Sequence, residues 1–593
     1  MSHLLSHSLR AFLLLSTAIG LVSCDDQGSS QQQSDIEQKI AELTSPNDDI
    51  YPDQTASGGF LAGQFAQTHS DWGNAANYFE TVRELDPSAP YIENRIMALA
   101  MGAGHYDRAI TIAKKLAQEQ STEDQSLAIM LAGLESFKNK DYDQTLKILS
   151  QAKTNGLGAA VIPLFRAWAA AGNGKTEISA LLDKSALSYQ AVMIAGYTKD
   201  KKTLAELAQQ IDFTKMPIAI HNLEDVATVF ALNGEPATAK NILLALKAGF
   251  PERGPVYMAS LKDLEDGTTT TFNMPAATPQ ESFAAALINV SQILDKNYQD
   301  SARIFAQMSS YLQPNADAPL ELLAQIAADG GQYEEAISYL QRINTDKNPL
   351  KDIQVKRQVA LLLQHSGKTD ESIRILQDLA KNAKNVDAQI QIGDIYRTDE
   401  KYELSLEAYD TAFEMLDNNI PQKHWDLLFA RGMVNERLKN WDHAEKDLKA
   451  ALSYEPDQPY VLNYLGYSWA DQGKNLDKAA EMIEKAVRLK PTDGAIVDSL
   501  GWVYFRIGNY DRAVKTLEQA IELDSTESEI NDHLGDAYWR VGRKSEARFQ
   551  WSRAISFTTD KNTILKITEK LESGLPALSS TAPTAKLVDN RNQ

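Results

Sequence analysis

Four glycines in the last third of the chain, Gly432, Gly466, Gly501 and Gly535, fall 34, 35 and 34 residues apart, and Ala444, Ala479, Ala513 and Ala547 follow at 35, 34 and 34. A period of this length describes one supersecondary unit repeated, each copy burying its apolar face against its neighbours. Small residues at a fixed phase mark close approaches of helices, so each period reads as a helix A, a turn and a helix B. In the copy that begins near Gly494, Leu500, Gly501 and Tyr504 lie on helix A, and Gly508 ends it. Asp511 is then placed to cap helix B, whose inner face carries Ala513, Leu517 and Ala520. The turn string NYDRA at 509–513 recurs as DWGNA (71–75), HYDRA (105–109), DYDQT (141–145), QYEEA (332–336), KYELS (401–405) and NWDHA (440–444). Thr145 and Ser405 stand where alanine is expected, and residues 150–250 keep helical periodicity without clean punctuation.

This pattern, together with the block LNYLGYSWADQGKNLDKAAEMIEKAVRLKPTDGAIVDSLGWVYFRIGNYDRAVKTLEQAIELD, resembles the tetratricopeptide repeat family over about three quarters of the chain. The resemblance implies an all-α fold, a helical-hairpin solenoid wound as a superhelix. The string GTTTTFNMPAATP at 267–279 interrupts the pattern, so the expected segments are 60–266 (degenerate repeats), a linker at 267–280, and 281–573 with a capping helix in DKNTILKITEKLES. A disordered tail is expected over 574–593. The C-terminal block also resembles long envelope lipoproteins, some of which act as adaptors for carboxyl-terminal processing proteases that trim peptidoglycan hydrolases. That resemblance implies protein partners, a processing protease and its substrates among them. An assembly scaffold for an export or outer-membrane machine shares the same features.

The N-terminus, MSHLLSHSLRAFLLLSTAIGLVSCDDQGSS, has the short apolar run Ala11 to Val22 of a signal peptide, too short to span a bilayer. Leu21-Val22-Ser23-Cys24 resembles a bacterial lipobox. Residues 1–23 are then the signal peptide, Cys24 is the lipidated (palmitate-type) first mature residue, and 24–59 form a tether rich in Gln, Ser and Asp with one helix at 36–43. The expected location is the bacterial cell envelope, anchored through lipid and facing the periplasm; Asp25 and Asp26 leave inner and outer membrane both open. Cys24 is the only cysteine, so no disulfide forms within the chain.

Chemistry is hard to find. A net charge of −21 does not suit nucleic acid, which needs a basic face to displace counterions. AAAGNGKT at 169–176 satisfies a loose phosphate-loop pattern, but IPLFRAWAAAG before it reads as a helix where that loop needs a strand; a nucleotide-binding enzyme is the distant alternative. His69, His105, His221, His365, His424, His443 and His533 show no ligand spacing, and only His533, in NDHLGD beside acids, invites closer inspection. Ser468 in GYSWA lies inside a helix and lacks the second glycine of a nucleophile elbow. The expectation is a non-enzymatic protein with no cofactor, no metal and no small-molecule substrate.

The resemblance also implies where partners bind. In such repeats the second, fifth, ninth and twelfth-to-thirteenth positions of helix A line the concave face. Carried over residue by residue, these are Tyr460, Asn463 and Tyr467; then Asp498, Trp502, Phe505 and Arg506; then Asp532, Asp536, Trp539 and Arg540. Aromatics with arginines and acids suit a peptide groove. The second position holds Tyr460, Ala495 and Glu529 rather than lysine, so the basic clamp for carboxylate tails is missing from these repeats.

Overall fold

The computed structural model describes residues 55–577, apart from 88–90, 120–124, 153–157, 183–186, 216–217, 275, 277, 295–297 and 418. Cys24, the signal peptide and the tether before residue 55 lie outside the described residues, as does the tail from 578. Among the described residues the chain is a succession of α-helices with short 3-10 segments and no strand, a helical-hairpin solenoid of the expected all-α class. It divides between Ile96 and Met97 into two compact units. In the first, Ala56–Thr68 pairs with Trp72–Leu85: Phe79 is buried beneath Phe60 at 5.6 Å, and the Arg95 guanidinium lies 4.2 Å from the Phe79 ring. This helix begins at Ala56, so the packed region starts slightly before the expected residue 60.

The second unit shows why the turn string repeats. Its first letter is the N-cap of helix B: the Asp141 and Asn509 side chains accept from the backbone N–H of Gln144 and Arg512, satisfying donors the helix leaves unpaired. Asn509 therefore caps Tyr510–Leu523, and the expected cap, Asp511, lies in the first turn, where its charge favours the positive end of the helix dipole. The residue before the cap reverses the chain in a left-handed conformation, as at Gly508 (φ 89°). The last letter is the close-packing position. Ala109, Ala336, Ala444 and Ala513 are fully buried there, and so are Thr145 and Ser405. The two hydroxyls are tolerated because each finds an acceptor: Thr145 Oγ1 donates to the Asp141 carbonyl (2.7 Å) and Ser405 Oγ to the Gly393 carbonyl (2.8 Å).

The repeating glycines on helix A face a large residue on helix B. A Cβ added at Gly466, Gly501 or Gly535 would lie 2.7, 2.5 or 2.5 Å from Ile483, Leu517 or Trp551. Glycine thus lets the two backbones approach while Leu517 or Trp551 fills the gap. One continuous core runs from Ile390 to Ile567 through these contacts.

The stretch around 267–280 joins Gly254–Glu265 to Pro279–Ile293, which begins with a capping box between Thr278 and Glu281. The latter helix and its partner Gln299–Leu312 pack back on helices far earlier in the chain. Phe283 stacks on Phe165 at 4.3 Å; Gln280 Nε2 donates to the Phe137 carbonyl; Asn289 Nδ2 donates to Tyr189 and to Asn222. Arg303, 2% exposed, donates through Nε to the Gly102 carbonyl (2.8 Å) and pairs with Glu335. Each buried polar group of the hairpin named here is thereby given a partner.

Candidate functional site

Three successive A helices, Pro459–Asp471, Gly494–Ile507 and Ser528–Arg540, present the residues singled out by register. The centre of the cluster is Asp498, buried, whose carboxylate accepts a hydrogen bond from His533 Nδ1–H at 2.9 Å. Burial raises the Asp498 carboxyl above its usual range, against the opposing pull of His533. For His533, burial works against the charge, but Asp498, Glu529 and Asp532 outweigh it and push the imidazole up to about 9. The two groups face each other as a buried, hydrogen-bonded pair.

Trp502 lies over that pair. Its ring stacks on His533 at 4.2 Å and on Phe505 at 5.0 Å, and Phe505 meets Tyr510 edge-on. From the preceding repeat, Tyr467 reaches past Gly494–Ile507 to donate its hydroxyl to Glu529 at 2.8 Å; burial and the Glu529 charge raise its pKa. Arg506 Nη1 donates to the Asp471 carbonyl (2.7 Å). Tyr460 is exposed at the edge, with the Lys490 ammonium 5.9 Å from its ring. Tyr460, Asn463, Tyr467, Asp498, Trp502, Phe505 and Arg506 thus lie on two adjacent helices, joined by Glu529 and His533 from the third.

The remaining four positions have a different fate. Lys570, on the last helix Lys561–Ser573, donates to Asp532 (2.7 Å) and Asp536 (2.9 Å). Asp536 also accepts from the Trp551 indole at 2.9 Å. Burial lowers the Lys570 pKa, yet the two carboxylates overcome it and raise it on balance. After a left-handed Gly574 the chain turns back: Gly574 sits against Trp539, Leu575 joins the core, and the Pro576 carbonyl accepts from Arg540 Nη1 at 2.7 Å. Asp532, Asp536, Trp539 and Arg540 are therefore engaged by Lys570 and by the turn at Gly574 to Pro576, and Gly574 and Leu575, expected to be loose, are partly buried there. The missed signal was available in the register, since Lys570 lies 34 residues after Asp536: the last helix continues the repeat as a helix A without a B. Glu529 and His533 were also not among the expected binding positions, Glu529 being read as a position lacking lysine and His533 as the one histidine, beside acids, that invited closer inspection.

Three atoms at these positions are buried with no hydrogen-bond partner among the described residues, Asn463 Oδ1, Trp502 Nε1 and Arg540 Nε. At 169–176, GNGK forms the turn after the helix Gly158–Gly172, with Thr176 bonded to Thr198; the strand required by a phosphate loop is absent among the described residues. Among the described residues no group of three His, Cys, Asp or Glu is arranged to hold a metal, and no helix is long and apolar enough to cross a membrane.

Residues 307–564 match the family model described as tetratricopeptide repeat. Among curated proteins, the TPR repeat-containing protein PA4667 of Pseudomonas aeruginosa is 35% identical over 146 residues, 22% of this chain and 25% of that protein. BBSome complex member BBS4 of Bos taurus is 28% identical over 159 residues, 26% of this chain and 28% of that protein. The chain spans about a quarter of the length of these curated relatives. Among solved structures, a tetratricopeptide repeat protein from Parabacteroides merdae is 19% identical with a TM-score of 0.34, covering 43% of this chain and 98% of that one. The APC/C hetero-tetramer Cut9–Hcn1 is 15% identical with a TM-score of 0.38, covering 91% and 98%.

Proposed function

We propose that this protein is a non-enzymatic adaptor that gathers protein partners on the inner face of its C-terminal repeats, held at a bacterial envelope membrane by acylated Cys24 and facing the periplasm. The observation that carries the reading is the aromatic cluster of Tyr467, Trp502 and Phe505 over the buried Asp498–His533 pair. Large aromatic side chains on a preorganised surface are what protein interfaces use for most of their binding energy. Anchoring restricts the adaptor to a surface, and the tether expected over residues 24–59 gives it reach, so two proteins held on it meet at raised effective concentration. The partner class is a carboxyl-terminal processing protease together with the cell-wall hydrolases it trims, as the resemblance of the C-terminal block implies.

The test is capture from detergent-solubilised envelopes with the acylated full-length protein as bait, beside Trp502→Ala. A protease or cell-wall hydrolase retained by the parent and lost from the folded variant supports the reading, and addition of the adaptor then accelerates cleavage of the hydrolase by the protease. Recovery of export or outer-membrane machinery alone, with no effect on proteolysis, replaces it by an assembly scaffold. Membrane release of Cys24→Ser tests the anchor separately.

A further inference from the structure

Helix Ala56–Thr68 spends its apolar residues the wrong way round. The face packed on Trp72–Leu85 carries the small residues Gly59, Gly63 and Ala66, and a Cβ added at Gly59 or Gly63 would lie 3.1 or 3.0 Å from Val82 or Phe79. Its large residues Leu61 and Phe65, one turn apart on a single face, are instead 67% and 66% exposed. The Phe65 ring stacks on His69 at 4.1 Å, and His69 Nδ1 lies 2.8 Å from the Phe65 carbonyl. Around them the exposed positions are Ser57, Gly58, Gln64 and Thr68. The helix therefore carries no charged side chain on any face, in a chain of net charge −21. A helix without a charged face belongs where something covers it.

Its place in the chain says what that is. Ala56–Thr68 is the first described helix after residues 25–54, and those residues lead from Cys24. On the reading above Cys24 is acylated, so a lipid surface stands at the other end of that segment. An acidic chain gains nothing from anionic headgroups through charge, whereas an uncharged face bearing leucine and phenylalanine gains by entering the headgroup boundary. Resting on the acyl anchor, we infer that the outer face of Ala56–Thr68 lies on the membrane with Leu61 and Phe65 inserted among the headgroups. This second contact orients the first unit on the surface, where an acyl chain on a tether alone leaves it free to turn.

The test reconstitutes the acylated mature chain into vesicles of phosphatidylethanolamine in excess over phosphatidylglycerol. With the Cys24 sulfur acylated, Gln64→Cys supplies the only thiol and takes a fluorophore between Leu61 and Phe65. Lipids spin-labelled in the headgroup are expected to quench it at least about twofold, and to act much less on a label at the exposed Glu84→Cys of the neighbouring helix. Leu61→Ser combined with Phe65→Ser changes two exposed side chains and is expected to abolish the quenching while the chain still floats with the vesicles. The inference is overturned if the Gln64→Cys label is quenched no more than the Glu84→Cys label, or if the double serine variant stays quenched. It is equally overturned if the Gln64→Cys label is already shielded in the Cys24→Ser chain in solution, since residues 25–54 or a second copy then cover the face. A chain that does not float with the vesicles sinks the anchor and this inference together, a result distinct from a chain that floats unquenched.

Discussion

The buried pair beneath Trp502 makes a prediction about pH. His533 has an ordinary value of 6.5 and is held at about 9 in the folded protein, by Asp498 first and by Glu529 and Asp532 behind it, against the cost of burial. Folding therefore takes up a proton on His533 wherever the unfolded chain has released it. The associated stability is fully present below pH 6.5 and is lost progressively as pH rises from 6.5 through about 9. At about 1.4 kcal/mol per pKa unit the amount at stake is about 3 kcal/mol. Asp498 is also raised by burial, but its ordinary value is 3.8, so its losses begin in the acid range. The assay is urea unfolding of the parent and of His533→Gln at a series of pH values, since the difference between them cancels groups that do not interact with His533. The difference is expected to shrink by about 3 kcal/mol between pH 6.5 and 9. A difference that stays level across that window, or a histidine proton released near 6.5 by NMR titration, refutes the reasoning.

Gly501→Ala places a Cβ 2.5 Å from Leu517, so overpacking of about 1–3 kcal/mol exceeds the gain in helix propensity of about 1 kcal/mol and the variant is less stable in urea. In a Leu517→Ala background the same change is neutral or stabilising. Arg303→Ala removes the link between Gly102 and Glu335; a loss of about 3 kcal/mol and faster hydrogen exchange over residues 97–116 are expected by mass spectrometry. Lys570→Met leaves Asp532 and Asp536 without their cation, and exchange is expected to rise in Lys561–Ser573 while Pro459–Asp471 is unchanged.

The fold was legible wherever a single residue type had to satisfy a local geometric demand. Gly501 and Ala513 recur because helices A and B touch there, and the turn string recurs because a left-handed residue precedes helix B and the string's first letter caps that helix with a side chain at Asp141 and Asn509. Asn509 against Asp511 was the local error, since both side chains accept hydrogen bonds and only the turn decides which one is at the cap. Less legible was the packing of Phe283 and Gln280 on Phe165 and Phe137. That contact depends on the direction accumulated over several degenerate repeats, which no local pattern records. The candidate site was half legible for a related reason: register places Asp532 and Trp539 on one face of helix A, whereas Lys570 and Gly574 decide what then packs against them.

The central claim is that partners bind on the inner face of the C-terminal repeats. A photo-crosslinking amino acid placed at Tyr460 or Phe505, and at the exposed Glu522 on helix B, reads it most directly in intact cells. Crosslinked partners identified by mass spectrometry are expected from Tyr460 and Phe505 and not from Glu522. Equal yields from Glu522, or partners captured there alone, would contradict the account.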